Sequence, residues 1–180
     1  MNQEYSGSEL RLDFGCGEMQ PKPGYVGVDI RPFPGIRYVC NSWEITNHVN
    51  LESVSAIYSR HFFEHLTFAQ AHLTLCAWRK ILRPYANLQM IVPDIGYHIS
   101  QFLASDENAP SAANPNWTLR QHAIAGFWGW QHDGVTEIWD LHKSGYDFRM
   151  LEETLKNHGF ENIVRQDDNP WNLNVLCQKK

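Results

Sequence analysis

The sequence predicts a single α/β domain on a mainly parallel sheet that ends in a reversed hairpin, and three observations carry this. Short apolar or β-branched runs bounded by Gly, Pro, Asn or Asp recur along the first half of the chain. An amphipathic helix separates two of them, and two further runs near the end flank an Asp-Asp-Asn-Pro turn. The length, 180 residues, suffices for one sizeable core and is too short for two ordinary domains.

Each element has its own justification. Leu10–Phe14, Tyr25–Ile30, Ile36–Cys40, Ser55–Ser59 and Ala86–Val92 are the runs expected to form buried strands. Between Thr67 and Leu82, apolar Phe68, Ala71, Leu75, Trp78 and Leu82 recur at three- and four-residue steps. This is a helical face that Thr67 can cap and Pro84 must stop. Phe148, Leu151 and Leu155 mark another helix, with Asp147 as its N-cap and Gly159 as its left-handed exit. Glu161–Gln166 and Trp171–Gln178 then form the antiparallel hairpin, and helices on the sheet faces give a layered architecture, expected to be three-layered. Ser105–Asn116 reads as a loop. Trp117–His142 is crowded with Trp and His around Gly126, Gly129 and Gly134, and only a short helix near Leu119–Phe127 can be placed there.

Composition narrows the function classes. A hydrophobic fraction of 43% with 19% charged residues is that of a soluble globular chain without a membrane-spanning run. The net charge of −5 argues against a broad nucleic-acid interface. Cys16, Cys40, Cys76 and Cys177 are scattered, which fits neither a zinc knuckle nor a disulfide framework. Together with the lack of a secretory pattern in Met1–Ser8, this fits a reducing, cytoplasmic setting.

The chemistry is concentrated at the first two strand ends. Gly15 and Gly17 let the backbone turn sharply and present N–H groups to a ligand, and Asp29, ending the neighbouring strand, can accept both hydrogen bonds of a ribose diol. A dinucleotide fingerprint would place a third glycine where Gln20 stands and an acid about 20 residues on. Asp29 follows Gly17 by 29 − 17 = 12 residues. A nicotinamide-dependent oxidoreductase or nucleotide-sugar enzyme is therefore the less favoured alternative. Pro21 and Pro23 also leave little room for a crossover helix.

The run LDFGCG, followed by GYVGVDI, SRHFFEHL and LRPYANLQMIVPD, resembles the class I S-adenosylmethionine-dependent methyltransferases. More narrowly it resembles small predicted methyltransferases associated with polysaccharide biosynthesis. Their tails carry a His, a Tyr-Asp helix start and a Gly-Phe, here His142, Tyr146, Asp147, Gly159 and Phe160. The resemblance implies a Rossmann-like three-layer sandwich with a seven-stranded sheet; residues 1–180 are expected to form one domain, and the loop and aromatic segment 105–142 is expected to cover the acceptor site. It implies S-adenosylmethionine as cofactor, with Asp13, Gly15, Cys16 and Gly17 at its amino-acid end, Asp29 on the ribose and Ile30 against adenine. Asn41, followed by Ser42, stands where the family usually has an aspartate bonding the adenine amino group. Pro84-Tyr85-Ala86 replaces the family's Pro-Gly-Gly.

Methyl transfer from a sulfonium is an in-line displacement, so alignment and exclusion of water matter most, and a base is needed only for an acceptor that must lose a proton. His61, after the fourth strand and close to the cofactor by resemblance, is the first candidate base, and His65 the second. Asp94 and His98 follow the fifth strand and are expected at the acceptor cavity, although Asp94 also suits a helix cap. Trp130, Gln131 and His142, in a cluster with Trp128, His132 and Trp139, are expected to line or cover it. No metal is expected: His61 and His65 stand four apart, but Phe62 occupies the place of the zinc-protease glutamate. The expected partner is a small-molecule or saccharide-like acceptor, methylated on oxygen or nitrogen, with no nucleic acid and no membrane insertion; homo-oligomerisation is left open. A non-catalytic module that only binds the cofactor is the third hypothesis.

Overall fold

The computed structural model describes residues 9–104, 106, 108–131, 139–167 and 169–180. His132 and Gly134 of the aromatic segment lie outside the described residues. The strands are β1 (Leu10–Phe14), β2 (Val26–Asp29), β3 (Ile36–Val39), β4 (Val54–Arg60), β5 (Leu82–Pro93), β6 (Phe160–Gln166) and β7 (Asn172–Lys179). The helices are α1 (Phe68–Ile81), α2 (Ile95–Phe102), α3 (Leu119–Trp128) and α4 (Phe148–Asn157), with 3-10 segments at Ser42–Asn47 and Phe63–His65. One sheet takes the order β3-β2-β1-β4-β5-β7-β6. It is parallel except for β7, which runs antiparallel to both neighbours. The mixed, Rossmann-like sheet and the reversed hairpin are as the sequence implied.

Register explains the asymmetry of its two faces. Leu12, Ile57, Leu88 and Cys177 stand beside one another across four strands, and Phe14, Ser59, Met90 and Val175 form the next row. All eight are buried. On them sits the inner face of α1, where Ala71, Leu75, Trp78 and Ile81 are buried and the Trp78 ring lies 4.8 Å from that of Phe14. Leu151 and Leu155 of α4 belong to the same core. The helix α1 starts as expected: the Thr67 hydroxyl accepts from the Gln70 N–H and the Gln70 side chain accepts from the Thr67 N–H. Asp147 caps α4 by accepting from the Met150 N–H, and Gly159 leaves it with φ +79°.

The opposite face reads Asp13, Tyr58, Gln89 and Leu176 in one row and Ala56, Asn87 and Gln178 in another. Here no helix joins β1 to β2. The connector Gly15–Tyr25 folds back over the sheet instead. The Asp13 carboxylate accepts from the Lys22 N–H at 2.7 Å, while Lys22 Nζ donates to Gln89 Oε1 at 3.0 Å and lies 4.1 Å from the Tyr58 ring centre. The covering layer on this side is therefore thin, a loop pinned by one carboxylate and one lysine.

β5 is longer than the expected Ala86–Val92. Pro84 ends α1 but not the strand, because it lies in an irregular stretch where the β4 register shifts and Tyr85 takes φ +61°.

Candidate active site

Two cavities open at the carboxyl ends of the parallel strands, where ligands of open α/β sheets sit. The first, about 340 Å3, lies over β1, β2 and β4 and is lined by Gly15, Asp29, Ile30, Asn41, Ser42, His61, His65 and the apolar Phe14, Val28 and Phe62. The second, about 600 Å3, lies over β4 and β5 and is lined by Glu64, His98, Trp117, His122, Trp130, His142 and Trp171. Both volumes fall within the range of small-molecule sites, roughly 300–1,000 Å3. His61 and His65 line both cavities and so mark their junction.

The first cavity is built from strand tips. Gly15 has φ +74°, and a Cβ there would lie 2.3 Å from the Phe62 ring. The glycine thus lets Phe62 close the cavity floor. Its N–H does not face the cavity: it donates to the Val28 carbonyl, and the Gly17 N–H donates to Asp29 Oδ2 at 2.9 Å. The short connector spends both amides on completing the β1–β2 junction, which corrects the expectation that they stand ready for a ligand. Asp13, Cys16 and Gly17 lie outside the cavity lining. Asp13 is buried under the connector, and burial pushes its carboxyl above the usual range despite the Lys22 N–H and charge. Burial likewise pushes the Cys16 thiol up to about 11, with the charges of Asp13 and Asp29 adding to it.

Asp29 is buried, and its Oδ1 accepts from the Arg31 N–H at 2.9 Å. A carboxylate has about four acceptor sites, so two N–H partners fix its orientation and leave capacity toward the cavity. Arg31, which the sequence reading passed over, pairs with Asp29 and lies against the rings of Phe33 and Trp139 at 4.7 and 5.7 Å. Ile30 remains 47% exposed, an apolar surface at the cavity edge. Asn41 Nδ2 donates to Glu44 at 2.9 Å, and the Ser42 hydroxyl is tied to Thr74 of α1 at 2.7 Å.

At the junction, His61 has φ +47°, uncommon for a residue with a side chain and a conformation that turns the chain sharply out of β4. Its Nδ1 meets Glu64 Oε1 at 3.2 Å. Glu64 is fully buried on the 3-10 turn. Burial raises its carboxyl pKa, but the His61 hydrogen bond and the charges of His61, His65 and His142 outweigh that and hold it below the usual range. His65 ends the 3-10 turn that precedes α1, and its Nδ1 meets the Leu141 carbonyl at 3.1 Å. Nothing local in the sequence singles out Glu64: beyond His61, the groups that meet it arrive from His142–Ser144, far along the chain.

In the second cavity the expected residues divide. His98 is 2% exposed and packs edge-on against His122, its pKa lowered to about 4 by burial and then by His122. Burial lowers His142 as well, and its Nδ1 donates to the Gly126 carbonyl at 2.9 Å. Trp130 packs against Trp117, ring centres 4.3 Å apart with the planes tilted by 49°. Asp94 is not at the cavity wall: it caps α2 through the Gly96 and Tyr97 N–H groups and pairs with Arg165 at 3.0 Å. Gln131 is also elsewhere, its Nε2 donating back to the Trp128 carbonyl at 3.0 Å, just beyond the Gly129 cap of α3.

No protein-family model matches the chain, and no curated protein matches it in sequence. Solved structures do match its shape. A SAM-dependent methyltransferase from Archaeoglobus fulgidus superposes with a TM-score of 0.60 at 14% identity, covering 96% of this chain and 87% of its own. An S-adenosylmethionine-dependent methyltransferase from Mesorhizobium loti gives 0.57 at 15% identity, covering 94% and 90%. The fold is that of the class I methyltransferases. A further example is 1,6-didemethyltoxoflavin-N1-methyltransferase from Burkholderia thailandensis, solved with 1,6-didemethyltoxoflavin and S-adenosylhomocysteine, at TM-score 0.57 and 13% identity over 95% of this chain and 71% of that one. Within this methyltransferase fold, the two cavities stand where β1, β2, β4 and β5 end. Among the described residues no helix is long and apolar enough to cross a membrane.

Proposed function

We propose that the protein is an S-adenosylmethionine-dependent methyltransferase that acts on the oxygen or nitrogen of a small, saccharide-like acceptor. The observation that carries this reading is the convergence of the Asp29 carboxylate and exposed Ile30 on one cavity, which His61 and His65 join to a second, aromatic one. The first cavity fits the cofactor. It offers a carboxylate for a diol, an apolar edge for a purine, and Asn41 and Ser42 at the far tip. Gly15 lines it as an approach surface, whereas Asp13 and Gly17 act one step behind, holding the connector and Asp29.

When bound, the cofactor supplies an electrophilic methyl group: an acceptor lone pair bonds to its carbon while the carbon–sulfur pair returns to sulfur. The chain's task is alignment, dryness and removal of the acceptor's proton. The Glu64 contact fixes His61 Nδ1 as the protonated nitrogen, which leaves Nε2 as an acceptor at the junction of the cavities. This supports His61 as the base, with Glu64 as its positioning residue. His65, bonded to the Leu141 carbonyl, has the same tautomer and adjoins the same junction. Trp117, Trp130 and Trp171 offer planar faces on which a sugar ring can stack. The resemblance to polysaccharide-associated enzymes and the four free thiols support a role in polysaccharide biosynthesis in the cytoplasm.

Titration calorimetry with S-adenosylmethionine, S-adenosylhomocysteine and NAD tests the reading. Binding of the first two and not the third is expected. Binding of NAD alone would transfer the site to the oxidoreductase alternative, and cofactor binding without methyl transfer to any hydroxyl or amine acceptor would leave a binding module.

A further inference from the structure

The mechanism uses one oxygen of Glu64. The other, Oε2, is buried and has no hydrogen-bond partner, an expensive state for an ionised carboxylate. Two imidazoles face the same point. His65 gives its Nδ1 to the Leu141 carbonyl and His142 gives its Nδ1 to the Gly126 carbonyl, so each keeps a bare Nε2 lone pair. Their rings meet edge to face, centroids 5.1 Å apart at 69°. One donor atom from each of Glu64, His65 and His142 lies within 4.8 Å of the other two.

From this geometry we propose that Glu64, His65 and His142 form a divalent transition-metal site of the zinc class, opening into the acceptor cavity. Two histidines and a glutamate are a known three-ligand set for a metal whose fourth position stays open. Histidines that bind metals ordinarily pass their other N–H to a carbonyl or carboxylate, as both do here. The ligands are also held by backbone: the Lys143 and Ser144 N–H groups donate to the Glu64 carbonyl, which fixes the extended segment carrying His142 against the turn carrying Glu64 and His65. The sequence offered no such triad, since only two of its members are neighbours. Resting on the methyl-transfer reading, the use of the site follows: the open position takes an acceptor oxygen, a hydroxyl or carboxylate, and orients it beside His61.

The test is zinc uptake by chelator-treated protein, with cobalt as a spectroscopic substitute. A second donor group, His72, Cys76 and His158 between α1 and α4, is the necessary control. In a Cys76→Ser/His158→Ala background one zinc should still bind, and adding His142→Ala or Glu64→Gln should weaken it at least about tenfold. Cobalt should show a spectrum without thiolate charge transfer. No uptake, or uptake abolished by the control variant and unchanged by His142→Ala, overturns the site. His142 is half-buried and tolerates truncation more readily than Glu64, so loss of fold in one variant leaves the other informative. S-adenosylmethionine calorimetry on the same proteins separates the two conclusions: cofactor binding without zinc removes only the metal, and zinc without cofactor binding removes only the methyltransferase reading.

Discussion

Asp29 is asked to do two things. Its oxygens hold the Gly17 and Arg31 N–H groups, and the same carboxylate faces the first cavity. Asp29→Ala therefore removes a charge-assisted contact to the ribose, about 1.5–3 kcal/mol of cofactor affinity, and it also frees the Gly17 amide. Asp29→Asn keeps one acceptor oxygen and should lose less. Calorimetry of both variants checks this, and an alanine variant with wild-type affinity would remove Asp29 from the site. His61 makes the opposite prediction. Since it sits at the junction and not at the ribose, His61→Ala should lower kcat by about 100-fold or more, the scale of one general base, while changing the cofactor Kd by less than threefold. Equal losses in both would make it a cofactor ligand.

Elements place these residues by close approaches that small side chains permit. On α3, a Cβ at Gly126 would stand 2.4 Å from the His98 ring of α2. Two effects compete in Gly126→Ala: helix propensity favours alanine by about 1 kcal/mol, and overpacking costs about 1–3 kcal/mol. Overpacking should win, because His98 is 2% exposed and its ring has nowhere to swing. Thermal unfolding should show a lower Tm, and acceptor turnover should fall through the displaced cavity wall; a raised Tm would mean that α2 and α3 slide freely. Such approaches explain what was legible. The α1 face, the Thr67 and Asp147 caps, the Gly159 exit and the missing crossover helix all follow from local periodicity, capping chemistry and proline positions, which act within a few residues. The destination of the Gly15 and Gly17 amides, the turning away of Gln131 and the gathering of His142 beside Glu64 depend on long-range packing. No local pattern encodes them.

At the scale of the whole molecule, the helical side of the sheet is dry while its other face is polar, with Gln89 bonded to Asn174 and Gln178 to Asn87 across strands. Ionisable groups are concentrated instead at the strand ends, and several histidines there are kept neutral by burial: His98 above all, then His122 and His142. The sign of the resulting pH dependence follows. With a folded pKa of about 4 against 6.5 when unfolded, His98 binds its proton more readily in the unfolded chain throughout that interval. Stability is then unaffected by His98 above pH 6.5 and declines on acidification toward 4, by at most about 1.4 kcal/mol per pH unit. Glu64 is lowered below 4.5, so its contribution is lost only at more acid pH, and the raised Asp13 acts with the opposite sign. Comparison with His98→Leu isolates the histidine from both. Urea unfolding at pH 7.5, 6.0 and 5.0 should show a shallower loss of stability in the variant than in wild type, and parallel curves would mean that His98 titrates normally in the folded protein.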